Sequence, residues 1–105
     1  MLRIYPVSLQ VTRDAAAAAA LIARQDSDLA RQLRRAVASI ALNIAEGSGS
    51  VGGNRRARYA NALGSARETL ACFDVAVAMG YLAQPDEAVF ARLDQVIGTL
   101  TRLVR

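Results

Sequence analysis

Between Leu29 and Gly49 the chain carries two stripes on what reads as a single helix, and few folds accommodate that. Leu29, Leu33, Ala36, Val37, Ile40 and Ile44 recur at spacings of three and four, which puts them on one side of an α-helix as a core-facing band. Gln32, Arg35, Ser39, Asn43 and Glu46 recur with the same period on the flank. The core of a small monomer uses only the first stripe. The second, a line of donors and acceptors, asks for another surface.

The rest of the chain extends this pattern into a single domain, residues 1–105. A chain of 105 residues supports one core and has no room for a separate catalytic module. Hydrophobic residues make up 53% of it, much of that alanine, with few aromatic or β-branched positions, so packed helices are favoured over sheets. The expected fold is all-α, an up-and-down antiparallel four-helix bundle with helices at about 7–24, 28–47, 54–79 and 86–103.

Local signals place those helices. Pro6 suits a first-turn position, and the six alanines from Ala15 to Ala20 favour continuation to about Arg24. The alanines either let a neighbouring helix approach or simply lengthen their own, and lengthening is the plainer expectation. Asp26-Ser27-Asp28 offers an N-cap for the second helix. The segment Gly47 to Gly53 reads as a flexible loop. It has neither the lysine nor the preceding strand of a phosphate-binding P-loop.

Asn54 is a candidate cap for the third helix, in which Tyr59, Leu63, Ala66, Leu70, Phe73 and Val77 form a heptad seam. The opposite side, with Asn61, Gly64, Ser65, Glu68, Cys72, Val75 and Met79, is small or semi-apolar, so this helix too reads as contacted twice. Gly80 should end it, and Pro85 should open the fourth helix, whose buried band is Val89, Leu93, Val96, Leu100 and Leu103, widened by Phe90, Ile97 and Val104. Three helices with surplus contact surface imply self-association.

Several function classes are disfavoured by what the chain lacks. With no histidine and nine scattered carboxylates there is no ready acid–base pair and no Glu-x-x-His motif of di-iron bundles, so neither an enzyme nor a metal or other cofactor is expected. The histidine of an Arg-x4-His ribonuclease motif is likewise missing. Cys72, the one cysteine, forms no intrachain disulfide and reads as a small core residue. The apolar run Ala15 to Ala23 is about half of a membrane crossing. The N-terminus lacks the pattern of an export signal, and a cytoplasmic location without membrane contact is expected.

The net charge of +4 comes entirely from arginine, since there is no lysine. Arginine forks suit carboxylates and phosphates alike, and high-GC coding accounts for the missing lysine equally well. Arg55, Arg56 and Arg58, at a helix start beside the glycines, form a candidate phosphate patch, with Arg34 and Arg67 as further candidates. Equally, these arginines balance Glu46 and solubilise the loop. A hairpin folded about the 47–53 loop places Glu46 near Arg55, Asn43 near Arg58, and Arg34 and Arg35 within about one turn of Arg67 and Glu68. From this we expect an Arg35–Glu68 ion pair and a cluster of Glu46 with Arg55 or Arg58.

The segments QLRRAVASI (32–40), NIAEGS (43–48), ALGSARE (62–68) and MGYL (79–82) resemble the bacterial four-helix bundle proteins encoded in intervening sequences of 23S ribosomal RNA genes. That family is similar to, and includes, the accessory variability protein of diversity-generating retroelements. The resemblance implies a homopentameric, barrel-like ring with a basic surface; the retroelement member binds nucleic acid and works with a reverse transcriptase. It carries over Gln32, Arg35, Ser39, Asn43, Glu46, Gly47, Gly64, Ser65 and Glu68, all in structural or assembly roles. Two departures stand out: Ala41 replaces a frequent proline, implying a straighter second helix, and Ser50 replaces a frequent basic residue. The function this implies is a non-enzymatic homo-oligomer that binds RNA or DNA through arginine–phosphate contacts or scaffolds a nucleic-acid enzyme. The alternative is a purely protein–protein assembly module.

Overall fold

The computed structural model describes residues 2–105, and four helices occupy most of that span: α1 (Ile4–Ile22), α2 (Ser27–Ser48), α3 (Gly52–Ala78) and α4 (Glu87–Val104). Each packs on its chain neighbours, and α1 also packs on α4, which closes an up-and-down ring of four. The rod measures 43 × 25 × 20 Å.

α1 begins three residues before the expected start, so Pro6 is its third residue. Its missing N–H still falls in the first turn, where no intrahelical partner exists, and the helix loses nothing. The alanine run does more than lengthen α1. Ala15, Ala18 and Ala19 are buried at helical spacing while Ala16, Ala17 and Ala20 face outward, so half the run is a close-packing face.

α2 opens as expected. The Asp26 carboxylate accepts from the Leu29 N–H at 2.9 Å. Leu29, Leu33, Ala36, Val37, Ile40 and Ile44 are all buried, and the helix runs unbroken past Ala41.

The expected Gly47–Gly53 loop shrinks to three residues. α2 continues through Gly47 and Ser48, and α3 starts at Gly52, so Asn54 lies inside the helix and caps nothing. The heptad seam of α3 packs inward, with Leu70 and Val77 half-buried; Cys72, assigned to the opposite side, is buried on the flank. At the far end Gly80 takes φ +77, the Tyr81 N–H reaches Ala76 O at 2.9 Å and the Gly80 N–H reaches Val77 O at 3.0 Å. That double closure is a Schellman motif, and it requires the left-handed conformation that glycine supplies.

α4 begins at Glu87, so Pro85 sits ahead of the N-cap rather than inside the helix. Leu93, Val96 and Leu100 are buried, and Phe90 meets Phe73 edge-on with ring centroids 6.2 Å apart. Leu103, expected in the buried band, is exposed, because the last turn of α4 turns Val104 rather than Leu103 against the core.

Candidate functional site

The α2–α3 seam is built around Gly47. Its Cα lies so close to the buried Tyr59 ring that an added Cβ would sit 2.7 Å from Cδ1 and nearer still to Cε1. Glu46 pairs with Arg58 at 2.8 Å, one of the two partners expected for it, and the facing positions of the two helices are offset by about one turn from the hairpin expectation. Further along the seam, the Ser65 hydroxyl donates to Ser39 Oγ at 2.8 Å. Asn43 Nδ2 donates to the same Oγ and to Ser39 O, both at 2.9 Å, so Asn43 braces its own helix rather than reaching Arg58. The polar stripe of α2 is thereby divided: Asn43 braces Ser39, Ser39 ties α2 to α3 through Ser65, and Glu46 pairs across the helices.

The expected Arg35–Glu68 ion pair does not form. Among the described residues the ion pairs are Arg31–Asp28, Arg58–Glu46 and Arg92–Asp14. Arg35 and Glu68 are both exposed and border one groove between α2 and α3, a concavity of about 300 Å³ that also takes in Gln32, Ser39 and Ser65. Outside the helix pair, water solvates each charge, and nothing within the chain forces them together. Sequence spacing located the two residues correctly but could not report that exposure.

Gln32 and Glu68 also border a second concavity of about 460 Å³, which continues toward Asp26 and Met79. Leu29, Cys72, Val75 and Met79 form its apolar walls and Asp26, Asp28 and Glu68 its acidic rim. Val75 is 47% exposed and Met79 58%; on the outer side of α2, Leu42 is 62% exposed. Gly64, mid-helix in α3, meets nothing within 4 Å of where a Cβ would be. A helical glycine with no neighbour costs helix stability and gains the monomer nothing.

The candidate phosphate patch is already engaged within the chain. Arg55 Nε donates to Ser50 O at 2.9 Å and Gly47 O at 3.2 Å, capping the end of α2. Arg56 grips Val104 O with Nε at 2.9 Å and Nη2 at 2.6 Å, capping α4 from the start of α3. Cations at helix C-termini satisfy orphan carbonyls and complement the helix dipole. With Arg58 on Glu46, all three arginines have partners, and the structure does not bring Arg34 or Arg67 into an ion pair.

One polar feature had no signal in the sequence reading. Arg92 of α4 places Nε and Nη2 at 2.9 and 2.7 Å from one oxygen of Asp14 on α1, with side chains 30% and 13% exposed. The contact joins positions far apart in the chain, and only the closed ring of helices brings them together.

Cys72 is a free, buried thiol whose pKa is pushed above its ordinary value, chiefly by burial and secondarily by the Glu68 carboxylate. It is held as the neutral thiol near neutral pH, unlike an activated nucleophile. Among the described residues no group of three or more acidic or cysteine side chains is placed to hold a metal ion, and no helix is long and apolar enough to cross a membrane.

Comparison with known proteins returns one family and one fold. The family model of the 23S rRNA-intervening sequence protein matches residues 1–102. A solved structure of a protein of unknown function from the S23 ribosomal protein family of Bacteroides thetaiotaomicron superposes with a TM-score of 0.87, at 16% identity, covering 97% of this chain and 98% of that one. At that identity the likeness concerns the fold. No curated protein matches. Neither comparison indicates a catalytic family, and neither bears on the retroelement protein.

Proposed function

The chain belongs to the 23S rRNA-intervening sequence protein family, and from that premise we propose that it is a non-enzymatic module that assembles with copies of itself through the outer face of α2 and α3. The observation that carries this reading is the open groove, bordered by Arg35 and Glu68 without an ion pair and continuing to the exposed Val75 and Met79. Exposed apolar residues beside unneutralised charges are what a protein partner removes from water. Gly64 supports the same reading, because its open side leaves room for another backbone. A ring of five copies is the arrangement taken from the family resemblance. Light scattering across micromolar concentrations tests it: the reading expects a mass several times that of one chain, and a monomer throughout would end it.

A second reading, binding of RNA or DNA through phosphate contacts, is favoured by the net charge of +4 and by the exposure of Arg34 and Arg67. Arg55 keeps its Nη groups for such contacts, since only Nε is used on carbonyls. Ring assembly would multiply the patch and its field. A nucleic-acid enzyme such as a reverse transcriptase is the partner this reading implies. Fluorescence anisotropy with a labelled single-stranded oligonucleotide should show affinity that falls steeply with salt. Absence of binding at low salt would leave the pure assembly module standing.

A further inference from the structure

Charge is sorted along the length of the bundle. The starts of α1 and α3 and the ends of α2 and α4 share one end of the rod, and the other four helix termini share the opposite end. Among the described residues, counting the first and last five of each helix and the segments that join them, the first end carries Arg3, Arg55, Arg56, Arg102 and Arg105. Its one acidic residue, Glu46, is already paired with Arg58. The opposite end carries Asp26, Asp28, Asp74, Asp86 and Glu87 against Arg24 and Arg31, and Arg31 is paired with Asp28. All of these are exposed except the half-buried Asp26. Each end holds two helix N-termini and two C-termini, so the helix dipoles offset one another and the side chains decide the sign. The contacts of Arg55 and Arg56 to backbone carbonyls hold the guanidinium groups in place without neutralising them.

We propose that the basic end of one copy docks on the acidic end of the next, so that bundles stack end to end. The two surfaces lie at opposite ends of a rod 43 Å long. The screening length at physiological ionic strength is about 8 Å, so neither end offsets the other within one molecule. Across a contact of a few ångström, unlike ends attract and like ends repel, which selects a single orientation. Apolar surface accompanies the charge: Val51, 77% exposed, and Leu103 at the basic end, with Leu21 and the half-buried Leu82 at the acidic end. A free polyanion would match the basic end and be repelled by the other, whereas a second copy matches both. Because the two contacting surfaces differ, the contact is head-to-tail, and repetition along the rod axis builds an open filament rather than a two-fold dimer. Asp26 and Asp28 also rim the second α2–α3 concavity, but Asp74, Asp86 and Glu87 line neither concavity of that face. End stacking is therefore separate from the side-by-side assembly proposed above, and its unit is either one chain or such an assembly.

Salt and charge reversal test this together. Light scattering on the unmodified protein compares ionic strengths of about 0.01 M and about 1 M, where the screening length falls from about 30 Å to about 3 Å. The weight-average mass should be at least about twofold higher at the low ionic strength. The triple variant Arg3→Glu, Arg102→Glu, Arg105→Glu makes both ends acidic, and Asp74→Arg, Asp86→Arg, Glu87→Arg makes both ends basic. Far-UV circular dichroism checks that each keeps its helices. At low ionic strength each variant alone should show only its high-salt mass, while an equimolar mixture, in which unlike ends meet again, should regain the added mass. A salt-independent mass of the unmodified chain would overturn end stacking, as would a variant that stacks alone or a mixture that does not. The mass at high salt reports the side-by-side assembly separately, so that reading stands or falls apart from this one.

Discussion

Where α1 meets α4, Arg92 puts two N–H groups on one carboxylate oxygen of Asp14 in a partly buried contact; where α2 meets α3, Arg35 and Glu68 face one groove and make no ion pair. Both seams join antiparallel helices, and each carries an arginine and a carboxylate. The α1–α4 seam satisfies its charges inside the chain. The α2–α3 seam spends its inward polar groups on the Ser39–Ser65–Asn43 network and closes the Glu46–Arg58 pair, but leaves Arg35 and Glu68 without an ion pair. A charge pair closed within the monomer belongs to the fold; one left open near exposed valine and methionine is what the proposed assembly would use.

Substitutions at each seam sharpen the contrast, and the largest effect is expected at Gly47. Gly47→Ala forces a methyl group into the Tyr59 ring and should cost about 1–3 kcal/mol of stability, read as a lower urea midpoint with unchanged slope. An unaltered midpoint would show that Tyr59 moves freely and that the seam is looser than described. Next, Asp14→Ala strands the half-buried Arg92 and should cost roughly 1–2 kcal/mol, below the range for fully buried pairs because Arg92 is partly solvated. Oligomer mass should not change, since this seam lies away from the open face. A loss of assembly without a loss of stability would invert the comparison.

Gly64→Ala separates the two roles most cleanly. With nothing near its side-chain position, the substitution should raise helix stability by up to about 1 kcal/mol while weakening assembly. A gain in both would remove Gly64 from the interface. The smallest effect concerns Cys72. Its folded pKa lies above the ordinary 9.0, so the neutral thiol's contribution is complete below that value and is lost as pH rises through the folded pKa. Stability measured from pH 8 to pH 11 should therefore fall more steeply for the native chain than for Cys72→Ala. Parallel curves would show that the thiol does not sense its burial.

Much of this organisation was legible in the sequence, because local period and capping govern it. The buried positions of α2, the Asp26 cap and the Gly80 terminus all follow from residue spacing and conformational preference within a few positions. Contacts to backbone carbonyls were not legible: Arg56 reaches Val104 O across 48 residues, and a carbonyl has no residue identity to search for. For the same reason the sequence did not show that Arg55 and Arg56 reach the carbonyls at the ends of α2 and α4. Gly47 misled in another way. Read as loop punctuation, it is a helical residue chosen for absent volume, a property that appears only once Tyr59 is folded against it. The Arg35 and Glu68 neighbourhood was correctly placed by spacing, but whether two neighbouring charges pair depends on solvent, which spacing does not encode.

The central claim is that this face is built for another copy of the chain, and the mass of the unmodified protein in solution tests it most directly. Sedimentation equilibrium over a wide micromolar range should return a species of more than two copies of the 11.2 kDa chain, dissociating only on dilution. A single 11.2 kDa species at every concentration would contradict it.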